Sequence, residues 1–119
     1  MYSAQLLDHF QNPRNAGEVA DADAAIEAEN PVCGDVLRLT LKMSAGKICS
    51  VKFKAKGCVA SIACASVLTE LVEGRTIAEA QKLRKEDIVT AIGGLPPASN
   101  HAAQLALDAL SLALNRVEH

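Results

Sequence analysis

The sequence predicts an α+β domain: a small three-stranded antiparallel sheet with helices packed on one face. Three observations point there. In residues 36–43, Leu37, Leu39, Leu41 and Met43 alternate with Val36, Arg38, Thr40 and Lys42, the period of a half-buried strand. A turn sequence, Ser44-Ala45-Gly46-Lys47, follows and returns the chain as a hairpin. From residue 59 onward the apolar positions change to helical spacing. The 119 residues suit one domain, 1–119, able to bury roughly two thirds of its unfolded surface. Half the residues are apolar but only Tyr2, Phe10 and Phe53 are aromatic, so the core is expected to be alanine-rich and helical.

The elements follow in chain order. Residues 3–10 read as a short helix with Leu6, Leu7 and Phe10 on one side, ended by Asn12-Pro13-Arg14-Asn15 and Gly17. Residues 24–29 read as an edge strand. After the hairpin turn, the returning strand is expected to place Cys49, Val51, Phe53 and Ala55 on the core face and Lys52, Lys54 and Lys56 on the other. Gly57 ends it. A helix over about 59–73 carries an apolar stripe of Ala60, Cys64, Val67, Leu68 and Leu71, and Gly74 stops it. Residues 76–83 and 86–92 read as two short helices. Gly93-Gly94-Leu95-Pro96-Pro97 is a stiff loop, after which Ser99 or Asn100 caps a last helix to about Val117.

Composition excludes several classes. No apolar run nears the roughly 20 residues that span a bilayer, and the amino terminus shows no signal-peptide pattern, so a cytoplasmic location is expected. The net charge of −2 hides blocks: residues 1–35 sum to −6, residues 36–85 to +7 and residues 86–119 to −3. The lysines of the basic block alternate along one strand with no aromatic platform between them. That is the pattern of a solvated sheet face, and no nucleic-acid partner is expected. Cys33, Cys49, Cys58 and Cys64 are expected as thiols.

Four residues sit where chemistry is possible. Cys33 lies in a Pro/Gly turn, Asn30-Pro31-Val32-Cys33-Gly34-Asp35, with the hard oxygen ligand Asp35 two residues on. Cys58 follows Gly57 at a helix start, where unsatisfied N–H groups favour thiolate, with Lys56 nearby. His101 opens the last helix. Cys49 and Cys64 read as small core hydrophobes. No CxxC or HxxxH spacing joins these residues, so residue types and spacing alone reach only a possible Cys/Asp/His metal site, with redox and purely structural roles still open.

At these residues the chain resembles the IscU-type iron–sulfur cluster assembly scaffold, which is also the amino-terminal domain of NifU. The resemblance rests on DHFQNPRNAG, NPVCGD, FKAKGCVASIACAS, LTELVEGRTIAEA and GLPPASNHA, in that order along nearly the whole chain. It implies a SufE/NifU-like architecture, and the chain lacks the insertion of the SufU branch. It implies a ligand set of Cys33, Asp35, Cys58 and His101 for iron or a transient [2Fe–2S] cluster. Four ligands suffice for such a cluster, histidine replaces cysteine in Rieske centres, and the same four suit tetrahedral zinc. The family's third cysteine, which directly follows the histidine, is here Ala102; the chaperone-recognised LPPVK segment reads Leu95-Pro96-Pro97-Ala98-Ser99, without its lysine. The resemblance further implies a cysteine desulfurase as sulfur donor, apo iron–sulfur proteins as recipients and a possible homodimer, for a carrier rather than an enzyme. The alternatives are a zinc-bound sulfur relay that accepts persulfide, and a regulatory paralogue that holds no cluster.

Overall fold

The alternation of residues 36–43 becomes the middle strand of a three-stranded antiparallel sheet. The computed structural model describes residues 2–31 and 34–117. In chain order the elements are α1 (Ala4–Gln11), β1 (Ala24–Asn30), β2 (Asp35–Ser44), β3 (Lys47–Lys56), α2 (Val59–Val72), α3 (Ile77–Gln81), α4 (Lys85–Ala91), a 3-10 turn (Pro97–Ser99) and α5 (Asn100–Val117). The strand order is β1-β2-β3. Leu37, Leu39 and Leu41 are buried beneath the helices, together with Ile26 from β1 and Val51 and Phe53 from β3. Ala45 and Gly46 both take positive φ, +53° and +78°, the geometry of a tight hairpin that matches the strand twist.

One strand departs from its expected alternation. Lys42 pairs with Ser50 but Met43 pairs with Ile48, so Cys49 is the extra residue of a bulge. The bulge shifts the phase of the strand: Ile48 is fully buried and Cys49 is exposed. The expectation that Cys49 faces the core is therefore wrong, because a period-2 reading cannot anticipate an inserted residue.

The helix α2 also exceeds its sequence stripe. Ala60, Cys64, Val67 and Leu68 are buried as expected, but Ser61, Ser66 and Thr69 are buried too, and Val72 rather than Leu71 is fully covered. The sheet and α5 cover one side of α2. On the other, α1 and the segment after it supply partners: Arg14 N–H donates to Ser66 Oγ (2.9 Å) and Asn15 Nδ2 to Thr69 Oγ1 (3.1 Å). The chain then crosses the polar face of the sheet. Asn15 and Gly17 bond to both sides of Phe53, Val19 N–H donates to Thr40 Oγ1 (2.9 Å), and Asp23 N–H reaches Leu41 O (2.8 Å). Along this path Glu18 meets Arg38 (2.9 Å) and Lys54 (3.5 Å), offsetting part of the basic stripe. At α1, Ser3 caps the helix through Leu6 N–H (3.0 Å) and its hydroxyl donates to Ile92 O at the end of α4. The 3-10 turn leads into α5, with Ser99 N–H donating to Pro96 O (2.8 Å). Among the described residues, no helix is long and apolar enough to cross a membrane.

Candidate metal centre

Three element ends meet at one rim of the domain. Asp35 is the first residue of β2, Cys58 the residue before α2, and His101 lies in the first turn of α5. The strand register brings the first two together: Val36 pairs with Lys56, which sets Asp35 alongside Gly57. The approach is close enough to demand glycine. Gly57 has φ +149°, and a Cβ built there would lie 2.3 Å from Asp35 Oδ1.

The side chains converge. Cys58 Sγ lies 3.6 Å from Asp35 Oδ2 and 3.9 Å from His101 Nε2, while His101 Nε2 lies 3.5 Å from Asp35 Oδ2. One donor atom from each residue falls within 4.8 Å of the others. Metal bonds of about 2.0–2.3 Å at tetrahedral angles separate neighbouring ligand atoms by about 3.3–3.8 Å. The three atoms are thus close to one face of a tetrahedron. Asp35 is 3% exposed, whereas the His101 side chain keeps 28% of its surface open to solvent. The floor of the site is dry and its mouth is wet.

A fourth residue, which the sequence reading missed, completes the floor. Ser61, buried at 4% exposure, donates its hydroxyl to Asp35 Oδ2 at 2.6 Å, and its oxygen lies 3.3 Å from Cys58 Sγ. Its signal was the spacing Cys58-x-x-Ser61, which puts residue 61 beside residue 58 in the first helical turn.

The other expected candidates sort differently. Cys33 lies outside the described residues; its flanking Gly34 is held by an N–H bond to Asn30 O (2.7 Å), and Pro31 shares a cleft with His101. The position of the absent third cysteine, Ala102, is 1% exposed and belongs to the core. Cys64 is fully buried, and burial, with the nearby Cys58 adding to it, pushes its thiol up to about 12. It is protonated at neutral pH and inert. Ser99, at the lysine position of the chaperone-recognised segment, is buried.

A second polar cluster lies on the far side of α2. His9 Nδ1 contacts Ser66 Oγ at 2.8 Å, and His9 Nε2 lies 3.5 Å from Glu70 Oε1. The order serine–histidine–carboxylate imitates a hydrolase triad. Ser66, however, is fully buried and already accepts the Arg14 N–H, so no substrate reaches it.

Comparison with known proteins points to one family. The sequence profile of the NifU-like N terminal domain family matches residues 1–119. The iron–sulfur cluster assembly scaffold protein IscU 1 of Archaeoglobus fulgidus is 45% identical over 114 residues, covering 96% of this chain and 74% of that protein. The scaffold protein IscU of Azotobacter vinelandii is 38% identical over 122 residues, covering 99% and 94%. A crystal structure from Fervidobacterium islandicum AW-1, described as a candidate cluster assembly scaffold for the SUF system, superposes with a TM-score of 0.81 at 25% identity, covering 95% and 96%.

Proposed function

This chain belongs to the NifU-like N-terminal domain family, and from that premise we propose that it is a scaffold on which a transient iron–sulfur cluster is assembled and passed on. The observation that carries this is the convergence of Asp35, Cys58 and His101 at near-tetrahedral separations. The cluster is cargo rather than a resident cofactor. Cys58 supplies a thiolate and His101 an imidazole nitrogen, a mixed set of the kind that holds Rieske clusters. Asp35 supplies a hard carboxylate oxygen, which binds iron less tightly than a thiolate in its place and favours release. Cys33 is the fourth ligand in this reading. It is two residues from Asp35 in sequence, and the nearby Pro31 lies in the same cleft as His101.

The departures from the family pattern narrow how sulfur arrives. Ala102 accepts no persulfide, and Cys64 is shielded, so sulfur from a cysteine desulfurase is received on Cys33 or Cys58, or reaches the site as free sulfide. Apo iron–sulfur proteins are the recipients. Chaperone contact through residues 95–99 is not expected, because the lysine is replaced by a buried Ser99. The same face of a tetrahedron suits one zinc ion, which makes zinc the competing occupant.

The test is the iron and acid-labile sulfide retained per chain after anaerobic reconstitution. Retention of about two of each per chain or per dimer, the content of one [2Fe–2S] cluster, is the expected result. Retention of neither, with zinc persisting from purification, would replace the scaffold by the zinc-bound sulfur relay.

A further inference from the structure

Ser61 sits under Asp35 and donates to the carboxylate oxygen that faces the other two site residues. Asp35 Oδ2 faces three groups: Ser61 Oγ at 2.6 Å, His101 Nε2 at 3.5 Å and Cys58 Sγ at 3.6 Å. Two of the three are lost as donors when a metal ion is bound. A ligating cysteine gives up its proton, and a ligating imidazole nitrogen turns its lone pair to the metal. Only Ser61 still donates a proton to Asp35 once the site is loaded, among the described residues. The carboxylate is otherwise enclosed, since Asp35 is 3% exposed and Gly57 packs against its other oxygen.

We infer that Ser61 is a positioning residue of the metal site, one that holds the Asp35 carboxylate in its ligating orientation before the metal arrives and after it is bound. The inference rests on the proposed role of Asp35, Cys58 and His101. Ser61 has a single proton. At 2.6 Å that proton belongs to the carboxylate, a length typical of a hydrogen bond to a charged oxygen. Only lone pairs are then left to face Cys58, so Ser61 acts through Asp35 and not through the thiolate. Without it the carboxylate rotates about its own bonds, and the metal must bear the cost of ordering it. Outer partners of this kind are typically worth about 10–100-fold in metal affinity.

Titration of the metal-free protein with Co²⁺, followed by thiolate-to-cobalt absorption, tests this. Ser61→Ala is expected to weaken Co²⁺ binding by about tenfold, and Ser61→Thr, which keeps the hydroxyl, to retain most of the affinity. In an Asp35→Ala background, Ser61→Ala is expected to cost nothing more, an outcome that a general packing role does not produce. Equal affinity of wild type and S61A, loss of affinity in a folded S61T, or the same loss from S61A with and without Asp35 would each overturn the inference. If wild type gives no thiolate-to-cobalt absorption, the metal site itself falls and Ser61's role with it. If wild type gives the absorption and S61A matches it, the role of Ser61 alone falls.

Discussion

Two polar clusters flank α2, each built from a histidine, a carboxylate and a serine of that helix, and they do opposite things. Around Ser66 the hydrogen-bonding groups are matched: Arg14 N–H and His9 Nδ1 meet the hydroxyl, and Glu70 faces the other ring nitrogen. That cluster fastens α1 to α2. Around Ser61 the acceptors converge instead. A carboxylate oxygen, a sulfur and an imidazole nitrogen face one another, and the single Ser61 proton goes to the carboxylate. In the proposed reading such a cluster is completed by a cation. The composition is nearly the same, and the difference lies in how many lone pairs point inward and whether one side is open to water.

The largest effect that sharpens this contrast is expected from Gly57→Ala. The new methyl meets the Asp35 carboxylate at the floor of the rim cluster, and the φ of +149° disfavours any side chain. Backbone strain alone costs about 1–3 kcal/mol. Denaturant unfolding should show that loss, and Co²⁺ titration should show binding abolished. Ser66→Ala strikes the other cluster. It leaves the Arg14 N–H and His9 Nδ1 without their partner and should lower stability by about 1–3 kcal/mol. Iron and sulfide retention per folded chain should be unchanged. A loss of metal in folded S66A would mean that the two clusters are coupled through α2.

A smaller effect comes with pH. Burial, followed by the Arg14 charge, lowers the pKa of His9 below its ordinary value near 6.5, against the opposing pull of Glu70 and Asp8. The unfolded chain therefore takes up a proton on this residue more readily than the folded one. The stabilising effect of neutral His9 is fully present above its ordinary pKa and is lost as pH falls from there toward the lowered folded value. Unfolding midpoints measured at a series of pH values should fall through that window, and His9→Gln should flatten the slope. A slope unchanged in H9Q would assign the titration elsewhere. The smallest effect is expected from Cys49→Ser, at the exposed bulge residue. Stability should stay within about 0.5 kcal/mol and metal binding should not change.

Much of this was legible in one dimension. The alternation of Leu37, Leu39 and Leu41 announced a strand with one dry face, and the Ala45-Gly46 turn announced its hairpin partner. Asp35, Cys58 and His101 were marked because polar, ligating residue types stood at element ends beside glycine and proline. Cys49 was misplaced, because only pairing with β2 reveals the residue that has no partner. The buried serines of α2 were invisible for a related reason. Hydrophobic spacing identifies the face that needs covering, but a hydroxyl reads as polar until a neighbour brings it a hydrogen bond.

Local chemistry therefore determined the elements and the residue types of the candidate site, since strand period, turn conformation and donor type are properties of short stretches of chain. Tertiary structure decided what those side chains became. Residues 35, 58 and 101 are brought within 4.8 Å only by the β2–β3 register and the docking of α5. The same packing sealed Cys64 away and placed Ser61 under the carboxylate. A metal site needs lone pairs converging on one point, and convergence is a relation between distant segments that no single segment contains.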